Sequence, residues 1–322
     1  MEMNLLSDLA LILISAGIVT IIFKLLKQPL VLGYIVAGFL VGPHFDLFPT
    51  IIEKESVHQW SEIGIIFLMF TLGLEFSFKK LFKVGASAFL TAGAGILLTF
   101  CISFLVGIMM NWSFMESIFL GGMLSISSTT IIIKAFDDLK ITKQRFSDLT
   151  LVVLILQDLV AIIMMVMLST AAVSQKFSGS EMFGSIMKLL FFLVLWFVIG
   201  IAIIPSFFRR TKKYVNDETL LIISIGLCFG MVTFANYVGF SSALGAFVMG
   251  SILSETVEGP HIEKMTQSIK NLFGSIFFVS VGMMVDPKVL GEYWFPILIL
   301  TLLTIFGKTI FNMAGALLSG EN

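Results

Sequence analysis

The chain is short of charge. Only 13% of its 322 residues are Asp, Glu, Lys or Arg, about half the share a soluble domain displays, while 57% are apolar and the mean hydropathy is +1.03. That composition cannot cover a water-facing surface, so the sequence reads as a polytopic membrane protein. Charge of one sign is lacking too. Twenty Lys and Arg against 21 Asp and Glu leave a net −1, which excludes a basic footprint for nucleic acid and an acidic tail. Cysteine is scarce: Cys101 and Cys228 both lie in apolar runs, so neither a disulfide framework nor a Cys-based metal site is supported. The three histidines, His44, His58 and His261, fall in polar stretches between those runs, which argues against haem ligation within the membrane. No basic n-region precedes the first apolar stretch and no small-residue cleavage pattern follows it, so it reads as a retained span.

What is present is a succession of apolar runs. A helix needs about 20 mostly apolar residues to cross a bilayer, and eleven spans are expected near 5–25, 29–44, 61–79, 84–109, 114–136, 149–173, 183–208, 218–237, 241–256, 269–286 and 291–318. The second and ninth are short. Fifteen Lys and Arg fall in odd-numbered connections, among them Lys24, Lys27, Arg209 and Arg210, and four in even-numbered ones. Short cytoplasmic loops carry the basic excess, so the N-terminus is expected outside.

Two pairs of spans resemble each other. Leu32-Gly33-Tyr34-Ile35-Val36-Ala37-Gly38 in the second span matches Leu244-Gly245-Ala246-Phe247-Val248-Met249-Gly250 in the ninth. Ile66-Phe67 with Gly73 in the third matches Phe277-Phe278 with Gly282 in the tenth, at nearly the same offset along the chain. A shift of seven spans reverses direction in the membrane, so these are expected to be inverted repeats, an architecture of secondary transporters. The organisation expected is a first repeat of six helices over 1–178, a linking helix over 179–213 and a second, incomplete repeat over 214–322. Counterparts of spans five and six are expected beyond Asn322, near 330–380.

Few polar groups are available for chemistry. A charge near the bilayer centre costs roughly 2.5–3.5 kcal/mol on insertion scales, and two positions stand deep: Asp158, beside Gln157 in span six, and Lys308 in span eleven. A structural salt bridge is the plain alternative for each. Span five carries Ser125-Ile126-Ser127-Ser128-Thr129-Thr130 after Gly121-Gly122. Clustered hydroxyls compete with helical hydrogen bonds, so the helix is expected to break there and offer backbone carbonyls to an ion; an intact helix with back-bonded hydroxyls is the alternative. Glu75 and Asp286 read as interfacial. Glu255, Glu258, His261 and Glu263 read as a solvated loop rather than a metal site. Asp137-Asp138 resembles half of a prenyltransferase signature, but no second deep Asp cluster follows, so no enzyme is expected.

Together these residues resemble the cation:proton antiporter 2 superfamily, in particular the membrane domain of its Kef-type potassium/proton antiporters. The likeness spans nearly the whole chain. It is carried by Pro29-Leu30-Val31-Leu32-Gly33-Tyr34, by Leu72-Gly73-Leu74-Glu75, by Ser127-Ser128-Thr129, by Gln157-Asp158, by Phe277-Phe278-Val279-Ser280-Val281-Gly282-Met283 and by Gly307-Lys308. The resemblance implies an all-α inverted-repeat antiporter fold with eleven of an expected 13 spans present and a broken helix at span five. It also implies a homodimer, each protomer having a scaffold and a moving core, in a bacterial inner membrane. Exchange of a monovalent cation, K⁺ before Na⁺, for H⁺ would occur at Asp158. Gln157, Ser127, Ser128 and Thr129 would supply neutral oxygens, and Lys308 would be the core charge partner. A Na⁺/H⁺ antiporter of the same fold, a gated K⁺ efflux path and a Na⁺-coupled organic-anion symporter are the rivals. No resident cofactor is expected in these residues. A regulatory nucleotide would need a further cytoplasmic domain, because no Gly-rich phosphate loop appears here.

Overall fold

The computed structural model describes residues 2–43, 54–75, 86–128, 179–211 and 214–320, with scattered positions between 132 and 164. All regular structure among the described residues is helical: α1 (Glu2–Leu25), α2 (Leu30–Val41), α3 (Lys54–Glu75), α4 (Ala86–Met109), α5 (Phe114–Ser125), α6 (Gly179–Thr211), α7 (Asp217–Val238), α8 (Ser242–Ser254), α9 (Gly259–Met283), α10 (Pro287–Glu292), α11 (Trp294–Leu302), a π-helical turn (Leu303–Gly307) and α12 (Lys308–Leu318). Among the described residues five stretches are long and apolar enough to cross a membrane: Leu6–Leu25, Ala88–Met109, Phe191–Thr211, Asp217–Val238 and Trp294–Leu318. Shorter apolar helices are α2, α5 and α8.

Local chemistry explains where the helices stop. Pro29 starts α2, since a proline lacks the N–H that a first turn leaves unpaired, and Gly42, in extended backbone, ends it. Asn216 caps α7 by accepting from the Thr219 N–H at 2.8 Å, and Gly239 closes that helix at φ +89°, a conformation open to glycine. Ser241 caps α8 by accepting from the Leu244 N–H. Helices α3 and α9 start several residues before their apolar runs. His58 and His261 therefore stand inside helices rather than in connections, because hydropathy measures the lipid-facing length of a helix and not the polar turns that project from it.

Contacts divide the chain into two compact units, Met1–Ser77 with Ser174–Val289, and Phe78–Val173 with Leu290–Asn322. The first holds α1–α3 and α6–α9. Helix α8 is its axis, with every residue from Leu244 to Leu253 buried. Two close helix crossings build this unit. A side-chain carbon at Gly38 would collide with the carbonyl oxygen of Val279, and one at Gly282 with that of Ile35. At the other crossing, Gly250 and Gly73 stand in the same relation to the carbonyl oxygens of Phe70 and Phe247. In the matched segments Gly250 and Phe247 correspond to Gly38 and Ile35, and Val279 and Gly282 correspond to Phe70 and Gly73. The α2–α9 crossing and the α8–α3 crossing are thus one contact made twice, with backbones close enough for Cα–H···O interactions in place of side-chain packing.

At the polar ends of these helices Lys270 Nζ pairs with Glu75 Oε1 at 2.5 Å, and His261 Nε2 meets Asp217 Oδ1 at 2.9 Å on an exposed face. Glu62 accepts from the Ser242 hydroxyl at 3.1 Å. Cys101 and Cys228 are both free, and no group of His, Cys, Asp and Glu among the described residues could hold a metal ion.

Because each crossing glycine faces a carbonyl oxygen that cannot swing aside, Gly38→Ala and Gly250→Ala should destabilise by similar amounts, about 1–3 kcal/mol. Gly17→Ala, whose added carbon meets nothing within 4 Å, should be neutral or slightly stabilising. Thermal unfolding in detergent checks this, and markedly unequal losses at Gly38 and Gly250 would contradict their equivalence.

Candidate functional site

The second unit contains Asp158, Gln157, Ser127, Ser128 and Lys308. Its spine is α4. At one end Asn111, at φ +61°, turns the chain from α4 into α5, with the Trp112 N–H returning to the Gly107 carbonyl at 3.0 Å. Ser113 and Glu116 then form a reciprocal capping box: the Ser113 N–H donates to Glu116 Oε2 at 2.7 Å and the Glu116 N–H to Ser113 Oγ at 3.2 Å. From there α5 runs back along α4 at close range. Gly107 faces Ser117, and Gly121 faces Phe100.

Helix α5 stops after 12 residues. Ser125 is buried, and its hydroxyl donates to the Gly121 carbonyl at 2.6 Å and to the Ile96 carbonyl of α4 at 3.3 Å. Ile126 is extended, at φ −97° and ψ 146°, and Ile126 to Ser128 lie outside helix. The Ile132 N–H donates to the Ser128 carbonyl at 3.2 Å, a helical spacing. A helix end of this kind leaves carbonyls without intrahelical partners. The Ile126 carbonyl receives the Lys308 ammonium, a hydrogen bond spanning 182 residues of sequence.

Lys308 reaches that carbonyl because α12 also lies on α4. A carbon added at Gly315 would strike the Thr91 carbonyl, one added at Gly95 would strike Asn312 Oδ1, and Thr91 Oγ1 and Ser319 Oγ are 2.9 Å apart. The same stretch of α4 receives span six. Ala92 and Ile96 form one buried cluster with Val153 and Leu156, flanked by Leu149 and Val160. Gln157 follows directly, 2% exposed, with no hydrogen-bond partner for its Oε1 among the described residues, and Asp158 is half-buried. One segment of α4, Thr91 to Ile96, therefore touches the end of α5, the segment preceding Gln157 and Asp158, and the helix that carries Lys308.

Of the residues singled out in the sequence, Ser127 is half-buried, Ser128 is exposed, and Thr129 lies outside the described residues. Lys308, expected as the core charge partner, donates to the backbone carbonyl of Ile126. Sequence reasoning passed over Gly95, Ile96 and Asn312. The signal for the first two was the small-residue run Thr91-Ala92-Gly93-Ala94-Gly95, which marks a close helix contact in lipid. Chemically, the arrangement offers a half-buried carboxylate, a buried amide oxygen with no donor among the described residues, and a helix end whose Ile126 carbonyl is engaged by one ammonium.

Residues 10–322 match the family described as sodium/hydrogen exchanger, transmembrane. A relative named K(+)/H(+) antiporter subunit KhtU, from Bacillus subtilis, is 30% identical over 324 residues, covering 98% of this chain and 79% of its own length. K(+) efflux antiporter 5 of Arabidopsis thaliana is 31% identical over 318 residues, and the chain spans about half, 55%, of that relative. The fold is similar to that of a solved sodium proton antiporter, MjNhaP1 from Methanocaldococcus jannaschii, with a TM-score of 0.73 at 17% identity, over 99% of this chain and 78% of that one.

Replacing Lys308 with Met should lower thermal stability by about 1.5–3 kcal/mol, since a carbonyl at a buried helix end loses a charged donor. Unfolding in detergent measures this, and an unchanged or raised melting temperature would show that the Ile126 carbonyl does not depend on the ammonium.

Proposed function

The chain belongs to the transmembrane sodium/hydrogen exchanger family, and from that premise we propose that it is an integral membrane antiporter exchanging K⁺ for H⁺ at Asp158. The observation that carries this reading is the convergence on α4: the segment preceding Asp158, the end of α5 and the helix that carries Lys308 all pack on Thr91 to Ile96. One carboxylate cannot hold a proton and a dehydrated cation together, so binding of either displaces the other, and competition couples the two fluxes. Gln157 Oε1, the hydroxyls of Ser127, Ser128 and Thr129, and carbonyls at the end of α5 supply neutral oxygens to replace the hydration shell of a weakly hydrated cation. Lys308 holds one of these carbonyls and keeps a positive charge nearby, which balances Asp158 when no cation is bound. The relatives named for potassium favour K⁺; Na⁺ is the second reading, and the fold suits either.

Several architectural features belong to the same proposal. The two matched crossings support inverted repeats, a first over 1–178 and a second over 214–322 joined by the linking helix 179–213. The α5 end at Ser125 and the helical spacing at Ile132 support a broken span five within a 13-helix protomer. The second compact unit is the candidate moving core and the first the scaffold of a homodimer. The basic residues at the ends of α1 and α6 support an outside N-terminus in a bacterial inner membrane. Any regulatory nucleotide would act through a further domain.

The test uses the full-length protein in vesicles with an imposed ΔpH. Adding K⁺ should dissipate the gradient more strongly than Na⁺ or Li⁺, and Asp158→Asn, which keeps the shape but fixes the charge at zero, should abolish dissipation in a protein that still folds. Cation-dependent proton exchange in a folded Asp158→Asn variant would move the coupling site elsewhere. Dissipation by Na⁺ alone would replace the potassium reading with the sodium one.

A further inference from the structure

One stretch of the Lys308 helix departs from α-helical spacing. Residues Leu303–Gly307 form a π-turn, in which the Lys308 N–H bonds to the Leu303 carbonyl, five residues back. A π-turn of this kind holds one residue more than the α-helical path, and the surplus rotates everything after it by roughly 100° about the helix axis.

The exposure pattern shows what this rotation does. Before the turn, Leu300 and Leu303 lie on the sheltered face. Uninterrupted α-helical spacing would continue that face through Gly307, Ile310 or Phe311, Ala314 and Leu318. The sheltered face keeps Gly307, Phe311 and Ala314 but moves round to take in Lys308, Asn312, Gly315 and Ser319, while Ile310 and Leu318 are 54% and 76% exposed. The shift by one residue places polar and small residues against α4 and α5 and turns most of the apolar ones outward.

Two residues fix this arrangement. Gly307 is buried, and an added carbon there would lie 2.9 Å from Leu303 Cδ1 and 3.1 Å from the Phe311 ring. Asn312 Nδ2 donates to the Lys308 carbonyl at 2.8 Å. Its Oδ1 is buried without a hydrogen-bond partner among the described residues and sits where a carbon on Gly95 would be. Asn312 therefore braces the first turn of α12 on one side and abuts α4 on the other.

We propose that Gly307 and Asn312 are positioning residues for the exchange reaction, holding the π-turn in the register that sets the Lys308 ammonium on the Ile126 carbonyl. This inference rests on the exchange reading above for its effect on transport, but not for the geometry it assigns. Asn312 acts through Lys308 and touches no transported ion.

A double-mutant cycle on the full-length protein tests it with two readouts. The first is the apparent K⁺ affinity and maximum rate of exchange in vesicles at several pH values; the second is melting temperature in detergent. Gly307→Ala and Asn312→Leu, a substitution of similar size without donor or acceptor, should each shift apparent affinity by about threefold or more, in the same direction as Lys308→Met. Neither should shift it further once residue 308 is Met. Adding Leu303→Ala to Gly307→Ala should restore the affinity by making room for the new methyl group. On melting, the loss from Asn312→Leu should be smaller in the Lys308→Met background than in the intact chain. Shifts of equal size in both backgrounds, or no shift in the intact chain, would overturn the proposal. If the unmodified protein shows no cation-dependent proton flux, the exchange reading fails, and the melting cycle alone still decides whether Asn312 and Lys308 act as one unit.

Discussion

A helix end leaves carbonyl oxygens that no next turn can satisfy, and the second unit is organised around one such end. Helix α5 stops at Ser125, and its last turns are held by a serine hydroxyl bonded to two carbonyls and by a lysine ammonium brought from 182 residues away. An unsatisfied buried carbonyl costs about 1–3 kcal/mol, and an unpartnered ammonium at membrane depth costs at least as much. Each meets the other's need. The pairing leaves the backbone and hydroxyl oxygens of Ile126 to Ser128 outside helix.

The spine that makes this possible is plain in chemistry and quiet in sequence. Thr91 to Ile96 contribute no charge. Thr91 to Gly95 contribute absence of bulk and Ile96 an apolar contact, which together let α5, α12 and the segment before Gln157 approach one helix. The first unit uses the same device for a different end. Four of its glycines set backbones against carbonyl oxygens at two equivalent crossings, and contacts of that closeness have one geometry and little room to adjust.

Asp158, Gln157, the hydroxyl cluster and Lys308 were legible in the sequence because a charged or hydroxyl-rich stretch in an apolar run is costly and therefore conspicuous. The glycine matches, Gly38 with Gly250 and Gly73 with Gly282, were legible as a pattern, and the structure gives them a physical meaning as a contact made twice. Helix starts were legible where the apolar run and the helix begin together, as at Phe114 and Ser242. The polar turns at the start of α3 and α9, which carry His58 and His261, looked like connections because hydropathy cannot separate an exposed helix from a loop. The bond from Lys308 to the Ile126 carbonyl was hidden for a similar reason: sequence displays carboxylates as candidates for a lysine but cannot display a backbone carbonyl freed by a helix end. The π-turn and Asn312 were hidden because a one-residue change of phase appears only when the sheltered face is known on both sides of it.

The proposed exchange requires one carboxylate to hold either a proton or a cation and never both. Proton release on cation binding tests it most directly, measured by a pH dye in weakly buffered detergent solution as K⁺ is added to the purified full-length protein. The account gives release approaching about one proton per K⁺ bound when the site starts protonated, falling away at a pH where the carboxylate is already ionised. Saturable K⁺ binding with no proton release at any pH would contradict it.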